Sequence, residues 1–303
     1  MDLYLIRHGE TVDNVAGLYA GVTDSALTNH GVEQTKRLGA HFAKDGIIAT
    51  HVFASPLSRA FKTAQAILEA QPPAEPAIEI TKVPELIEQD FGYYEKKAFQ
   101  ARTVARKSGR EAHRERHLND PGFVDVESKE AMNNRADIFL DQHLLPLVGK
   151  MDPHGKSVVV VVSHGIILSH LWRRLLLKLP PRSVTVAPEV TSAKGSIVLQ
   201  HLGGWSNTGY LELHLTEEPE YARGESAPAT ATPLHPPSSG DVTNIEESAS
   251  DVMKLHKHKL LIVSVDRKDH LVGLKRQRGG IGRSKHDEGQ QKLDGFFKRQ
   301  RKG

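Results

Sequence analysis

The sequence contains no cysteine. That excludes disulfides, thiolate metal sites and a cysteine nucleophile. Apolar residues are scarce as well, 38% of 303 positions, on the low side for a chain packed throughout. Part of it is therefore expected to lie outside any core. No apolar run approaches the roughly 20 residues needed to span a bilayer. The first residues, Met1-Asp2-Leu3-Tyr4-Leu5-Ile6-Arg7, lack the basic start and long apolar stretch of an export signal and read straight into a strand. The expectation is a soluble protein of the cytoplasm, the nucleus or both.

Charge is unevenly spread. The whole chain carries +3, but Met253 to Gly303 holds 15 Lys/Arg against 5 Asp/Glu, a net +10 that leaves −7 for the rest. A mildly acidic body with a basic tail bears on partners rather than on fold. Up to about Leu215, strand-like and helix-like segments alternate. Leu3 to Ile6, Val52 to Ala54 and Val158 to Val162 are short apolar runs, the last reading as a central strand buried on both faces. Between them, Thr28 is placed to cap a helix bearing Val32, Leu38 and Phe42, and Ser58 one bearing Ala60, Ala64 and Ile67. Ala131 to Val148 and Ile166 to Leu179 read as two more helices. The alternation predicts an α/β fold with a largely parallel central sheet and helices on both faces. Segments 196–201 and 209–215 read as two late strands, paired in a hairpin.

Composition divides the chain into a domain at 1–216, a Glu-, Pro-, Ser- and Thr-rich linker at 217–252 expected to be disordered, and a basic tail at 253–303. The tail contains one short strand-like run, Lys259 to Val265.

Three polar clusters follow the three strands: Arg7-His8-Gly9-Glu10-Thr11, Ser55-Pro56-Leu57-Ser58-Arg59 and Ser163-His164-Gly165. Ligands of open α/β sheets bind outside the carboxyl ends of the strands, so two histidines and two arginines are expected at one sheet edge. That set suits phosphoryl transfer. An imidazole nitrogen attacks phosphorus and forms a covalent intermediate, while arginines and a second imidazole hold the phosphate oxygens. Glycine after each histidine lets a phosphate approach the backbone. A carboxylic acid must then protonate the leaving oxygen.

These clusters, with Asn14, resemble the histidine phosphatase superfamily, also called phosphoglycerate mutase-like, over roughly residues 1–215. The resemblance implies His8 as nucleophile, Arg7, Arg59 and His164 as the phosphate pocket, and Asn14 with Thr23 at its rim. It implies no metal and no organic cofactor. The segment Leu86-Ile87-Glu88-Gln89-Asp90-Phe91-Gly92-Tyr93-Tyr94-Glu95 matches the family's acid-bearing stretch and implies Glu88 as proton donor, with Glu85 as the competing acid. The chain has Tyr94-Glu95-Lys96 where many phosphatases have Trp-Glu-Gly. It also lacks the Arg-His-Tyr-Gly that typically follows the acid in mutases. The expected activity is hydrolysis of a phosphomonoester, ahead of phosphoglycerate mutase action.

An insertion at about 96–125 carries Arg102, Arg106, Lys107, Arg110, Arg114 and Arg116, suited either to a substrate's second anionic group or to a solvated helix face. His113 and His117 within it lack metalloprotease spacing. In the tail, Gln290, Leu293, Phe296 and Phe297 have the Gln-x-x-aliphatic-x-x-aromatic-aromatic form of a peptide that binds the sliding clamp, proliferating cell nuclear antigen. Leu293, Phe296 and Phe297 would form one apolar plug on a helical turn. This raises the alternative of a clamp-associated nuclear interaction protein. The basic runs flanking this motif and at Lys275 to Arg278 are also of the kind found in nuclear-localisation or nucleic-acid patches, direct nucleic-acid binding being the weaker expectation.

Overall fold

A computed structural model describes residues 1–99, 118–150, 157–195, 197–217 and 255–288. Seven strands form one sheet: β1 (Asp2–Arg7), β2 (His51–Ala54), β3 (Ile80–Lys82), β4 (Val158–Ser163), β5 (Val184–Val186), β6 (Tyr210–Glu217) and β7 (His258–Arg267), in the order β3-β2-β4-β1-β6-β7-β5. The β3, β2, β4 and β1 strands are mutually parallel, β6 runs antiparallel to both β1 and β7, and β5 is parallel to β7. The mostly parallel sheet thus agrees with the expectation.

The valine run is its centre. All six residues of β4 are buried, and alternation sends them to two cores. Val159 and Val161 join Leu3 and Leu5 beneath helices α4 (Lys129–Phe139) and α5 (Gly165–Leu177). Val158, Val160 and Val162 join Tyr4 and Ile6 beneath α2 (Asn29–Lys44) and α3 (Ser58–Glu69). A short α1 (Val12–Ala16) follows β1, and α6 (Pro188–Lys194) lies near the far edge. Helix α4 continues through a π-helical turn, Leu140–Leu144, into Leu145–Val148. Pro146 lies just beyond that turn, and a helical proline lacks the N–H that regular hydrogen bonding would use.

Two expectations are corrected. The late strands do not form a hairpin. Among the described residues, 197–201 holds only an isolated bridge between Val198 and His201, while 210–217 pairs with β1 and β7. The folded unit also does not end at 216. Strand β7 falls inside the stretch read as a basic tail, yet it is a sheet member with Leu260 and Ile262 fully buried. Its strand-like run is the apolar face. The neighbouring charges sit on the other face, where Arg267 and Ser264 meet Glu212.

Beyond β7 the chain returns along α2 as far as Glu288. Arg37 donates to the Val272 carbonyl (3.1 Å), Asn29 bonds the carbonyls of Ile281 and Ser284, and Lys62 pairs with Glu288. The linker beyond Glu217, the basic side chains and paired histidines of the 96–125 insertion, and Gln290, Leu293, Phe296 and Phe297 lie outside the described residues.

Candidate active site

Strands β1, β2 and β4 end at the same sheet edge and deliver their three clusters there. The His8 and His164 rings lie with centroids 5.0 Å apart. His8 is 4% exposed and His164 fully buried.

The tautomer of each ring follows from its partners. His8 Nδ1 lies 2.7 Å from the Gly9 carbonyl, which only accepts, so Nδ1 carries the proton and Nε2 keeps its lone pair. His164 has the opposite arrangement. Its Nδ1 accepts from Arg59 Nε (3.1 Å), so its Nε2–H points to Ser55 Oγ at 2.8 Å. Both imidazoles are held well below their ordinary pKa. For His8 burial is the main cause, followed by the charges of Arg59 and Arg7. For His164 it is burial, then Arg59, His8 and Arg7.

The two arginines differ. Arg7 donates NH1 to the Trp205 carbonyl (2.6 Å), while its buried Nε has no protein partner. Arg59, 1% exposed, spends its fork on the 20–24 loop: NH1 goes to the Thr23 carbonyl (3.0 Å), and NH2 to those of Ala20 (3.1 Å) and Gly21 (2.7 Å). A phosphate contact by His164 therefore requires exchange of an internal bond, whereas Arg59 NH1 keeps one N–H beyond its bond to Thr23.

Glu88 is buried against the start of α5. Its Oε1 accepts from Gln89 N (2.9 Å) and Ile167 N (3.1 Å), and Oε2 from Ile166 N (3.1 Å). A helix start has free N–H groups and favours an acceptor there. Glu88 also stands near enough to Arg7 and Arg59 to act on both guanidinium charges. At Glu85 the backbone carbonyl, held by Arg135 (2.7 Å), is the group engaged. Asn14 Oδ1 accepts from Thr11 N (3.2 Å) and from Asn207 Nδ2 (3.1 Å), and that same Nδ2 also reaches the His8 carbonyl. Thr23 N donates to Glu95 (3.2 Å).

Glu95 stands in the acid-bearing segment, but nothing local in the sequence names its partners, and Asp24 carries no local signal. The Glu95 carboxylate gathers the N–H groups of Gly21, Thr23 and Phe91, tying the 20–24 loop to the acid segment. Asp24, rather than the expected Ser58, holds the start of α3 by accepting from Ser58 N (3.1 Å). Gly9 also has a packing use that the sequence did not suggest. A side chain there would press on Thr35 and the Gly31 carbonyl at 2.8 and 2.9 Å, so its bareness lets the turn pack on α2. Among the described residues, no three His, Asp or Glu side chains gather as a metal site.

The sequence and the fold have counterparts in known proteins. Residues 3–212 match the family model described as the histidine phosphatase superfamily (branch 1). A probable phosphatase of Schizosaccharomyces pombe is 33% identical over 183 residues, 57% of this chain and 56% of that protein, so the match spans little more than half of that relative. A probable phosphoglycerate mutase GpmB of Serratia proteamaculans is 33% identical over 176 residues, 58% of this chain and 75% of that one. The solved structure of mycobacterial hydrolase 1 superposes with a TM-score of 0.52 at 22% identity, covering 72% of this chain and 91% of that one, which is a likeness of fold. With two-thirds of its length matched by one family model, and with the fold to go with it, the chain belongs to the histidine phosphatase superfamily, branch 1.

Proposed function

We propose that the chain is a metal-independent phosphoric monoester hydrolase working through phosphorylated His8. The observation that carries this reading is the 2.7 Å contact between His8 Nδ1 and the Gly9 carbonyl, from which the tautomer follows. A buried, neutral ring whose Nδ1–H is anchored on the Gly9 carbonyl leaves Nε2 as the nucleophilic lone pair. Attack of Nε2 on phosphorus forms the N–P bond as the ester P–O bond breaks, and protonated Glu88 gives its proton to the leaving oxygen. Its Oε2, with one amide contact against two for Oε1, has more room for that proton. Water then attacks the phosphohistidine, Glu88 takes a water proton, and inorganic phosphate leaves.

A phosphate dianion between the rings would offset the arginine charges that keep them neutral. His164 Nδ1 could then take a proton and, with Arg59 Nε freed, donate to phosphate alongside Arg7 Nε. Asn14 and Thr23 line the rim. With a chelator present, the protein should hydrolyse an aryl phosphate, and His8→Ala should lose turnover. Undiminished turnover in that variant would sink the reading. The similarity to a GpmB protein favours a second reading, phosphoglycerate interconversion, which a direct assay of both phosphoglycerates decides. The peptide pattern of Gln290, Leu293, Phe296 and Phe297 supports a separate interaction with a sliding clamp. Equal clamp binding by peptides with and without both phenylalanines would rule it out.

A further inference from the structure

Residues 255–288 lie beyond the stretch that matches the family, yet three side chains from 266–276 brace the turn that carries His8. The Asp266 carboxylate accepts the N–H and hydroxyl of Ser206, both at 2.8 Å, steadying the loop whose Trp205 carbonyl receives Arg7. His270 Nε2 lies 2.9 Å from Thr208 Oγ1, and Thr208 N donates to the carbonyls of Arg7 (3.0 Å) and His8 (3.2 Å). Arg276 forks onto Glu10, with NH1 at 2.6 Å from Oε1 and NH2 at 2.5 Å from Oε2.

The third contact reaches furthest into the chemistry. Glu10 is 8% exposed, and a buried carboxylate needs a cation and hydrogen bonds to compensate its lost hydration. Arg276 supplies the cation and the Thr28 hydroxyl a further bond at 2.9 Å. The peptide plane between Gly9 and Glu10 then has both ends committed. The Glu10 N–H donates to Gln34 Oε1 (2.9 Å), and the Gly9 carbonyl receives His8 Nδ1. Moving Glu10 rotates that plane and takes the carbonyl away from the imidazole.

We propose that Arg276 is a positioning residue for His8, holding the His8–Glu10 turn so that the Gly9 carbonyl stays on Nδ1 and Nε2 stays free. This rests on His8 being the nucleophile. Burial alone would push the Glu10 carboxyl up, but hydrogen bonds from Arg276 and Thr28, with the charge of Arg276, hold it below its ordinary value. Removing Arg276 therefore raises the pH at which Glu10 takes a proton.

The test uses the full chain and an aryl phosphate, with nitrogen NMR of labelled histidines as a readout independent of turnover. Arg276→Ala is expected to lower kcat roughly 10- to 100-fold, the scale of a misplaced reacting group, with KM little changed. Because a neutral Glu10 leaves no buried charge unpaired, part of the loss should be recovered as the pH falls and Glu10 takes its proton, and at neutral pH the Nδ1–H signature of His8 should weaken. Arg276→Lys should restore part of the loss. Adding Glu10→Gln to Arg276→Ala should recover some as well, because no buried charge is then left unpaired. Arg37→Ala breaks the bond from α2 to the Val272 carbonyl of this segment without touching Glu10 and serves as control. Wild-type kcat, pH profile and His8 signature in Arg276→Ala would overturn the proposal, as would equal damage from Arg37→Ala. If the wild-type protein hydrolyses no phosphate ester, the functional reading fails, and the His8 signature still decides whether Arg276 positions the ring.

Discussion

An imidazole attacks only when unprotonated, and at His8 burial and two arginines hold it in that form. The sign follows directly. Lowering the folded pKa extends the neutral form to lower pH, so the acid limb of kcat/KM, corrected for ionisation of the substrate, should lie below 6.5. A midpoint at or above 6.5 would contradict it. The acids separate in the same way. Glu88→Gln should cost roughly 10²- to 10⁴-fold with a poor leaving group and far less with a good one, whereas Glu85→Gln should cost little with either. Equal losses in the two variants would remove Glu88 from its role. At this scale the sequence was informative where a residue stands next to its strand. Arg7, His8 and His164 lie at the strand ends, so their convergence follows from strand order alone. Arg59 was legible as a neighbour but not in its bonding, because its acceptors at Ala20 and Gly21 lie 39 and 38 residues away. Asn207 and Trp205 were illegible because their partners, His8 and Arg7, lie 199 and 198 residues off.

Between elements, the 20–24 loop is the crossing point. Arg59 holds it by carbonyls and Glu95 by amides, so it ties the second cluster to the acid segment. Gly21 sits where a side chain would overlap the Gln89 carbonyl and the Glu95 carboxylate. Gly21→Ala should therefore destabilise the protein by about 1–3 kcal/mol, as overpacking does, and lower kcat by loosening Arg59. Measured by chemical denaturation and turnover together, an unaffected variant would show that the loop does not support the site. The helix periods and the valine strand were readable because an apolar pattern reports on one element at a time. Which partner β6 chooses was not. Leu211, Leu213 and Leu215 alternate equally well for a hairpin or for a place beside β1, and only the second closes them into the core with Leu3 and Leu5.

Across the whole molecule, the C-terminal segment is the main departure from the reading by composition. Lysines and arginines around β7 resemble a tail, yet Leu260 and Ile262 complete the core while Arg267 faces Glu212 and Asp45. Ile262→Ala should cost about 2–5 kcal/mol, a loss that a dispensable tail would not produce. Proton linkage gives a second whole-molecule prediction. His170 and His270 are lowered to about 4, each chiefly by burial, and His8 and His164 are lowered as well. The unfolded chain takes up these protons near 6.5 and the folded chain only at lower pH, so acidification favours unfolding across that window. The thermal midpoint should fall steadily from pH 7 to 5, and a flat profile there would contradict the buried, neutral histidines.

The central claim is that His8 itself carries the phosphoryl group. Rapid quenching of turnover with a radiolabelled phosphate ester, under the alkaline conditions in which phosphohistidine survives, tests it most directly. The account predicts label on the peptide containing His8, lost on a chase with unlabelled substrate and missing in His8→Ala. Turnover with no label at His8, or label that persists in His8→Ala, would contradict it.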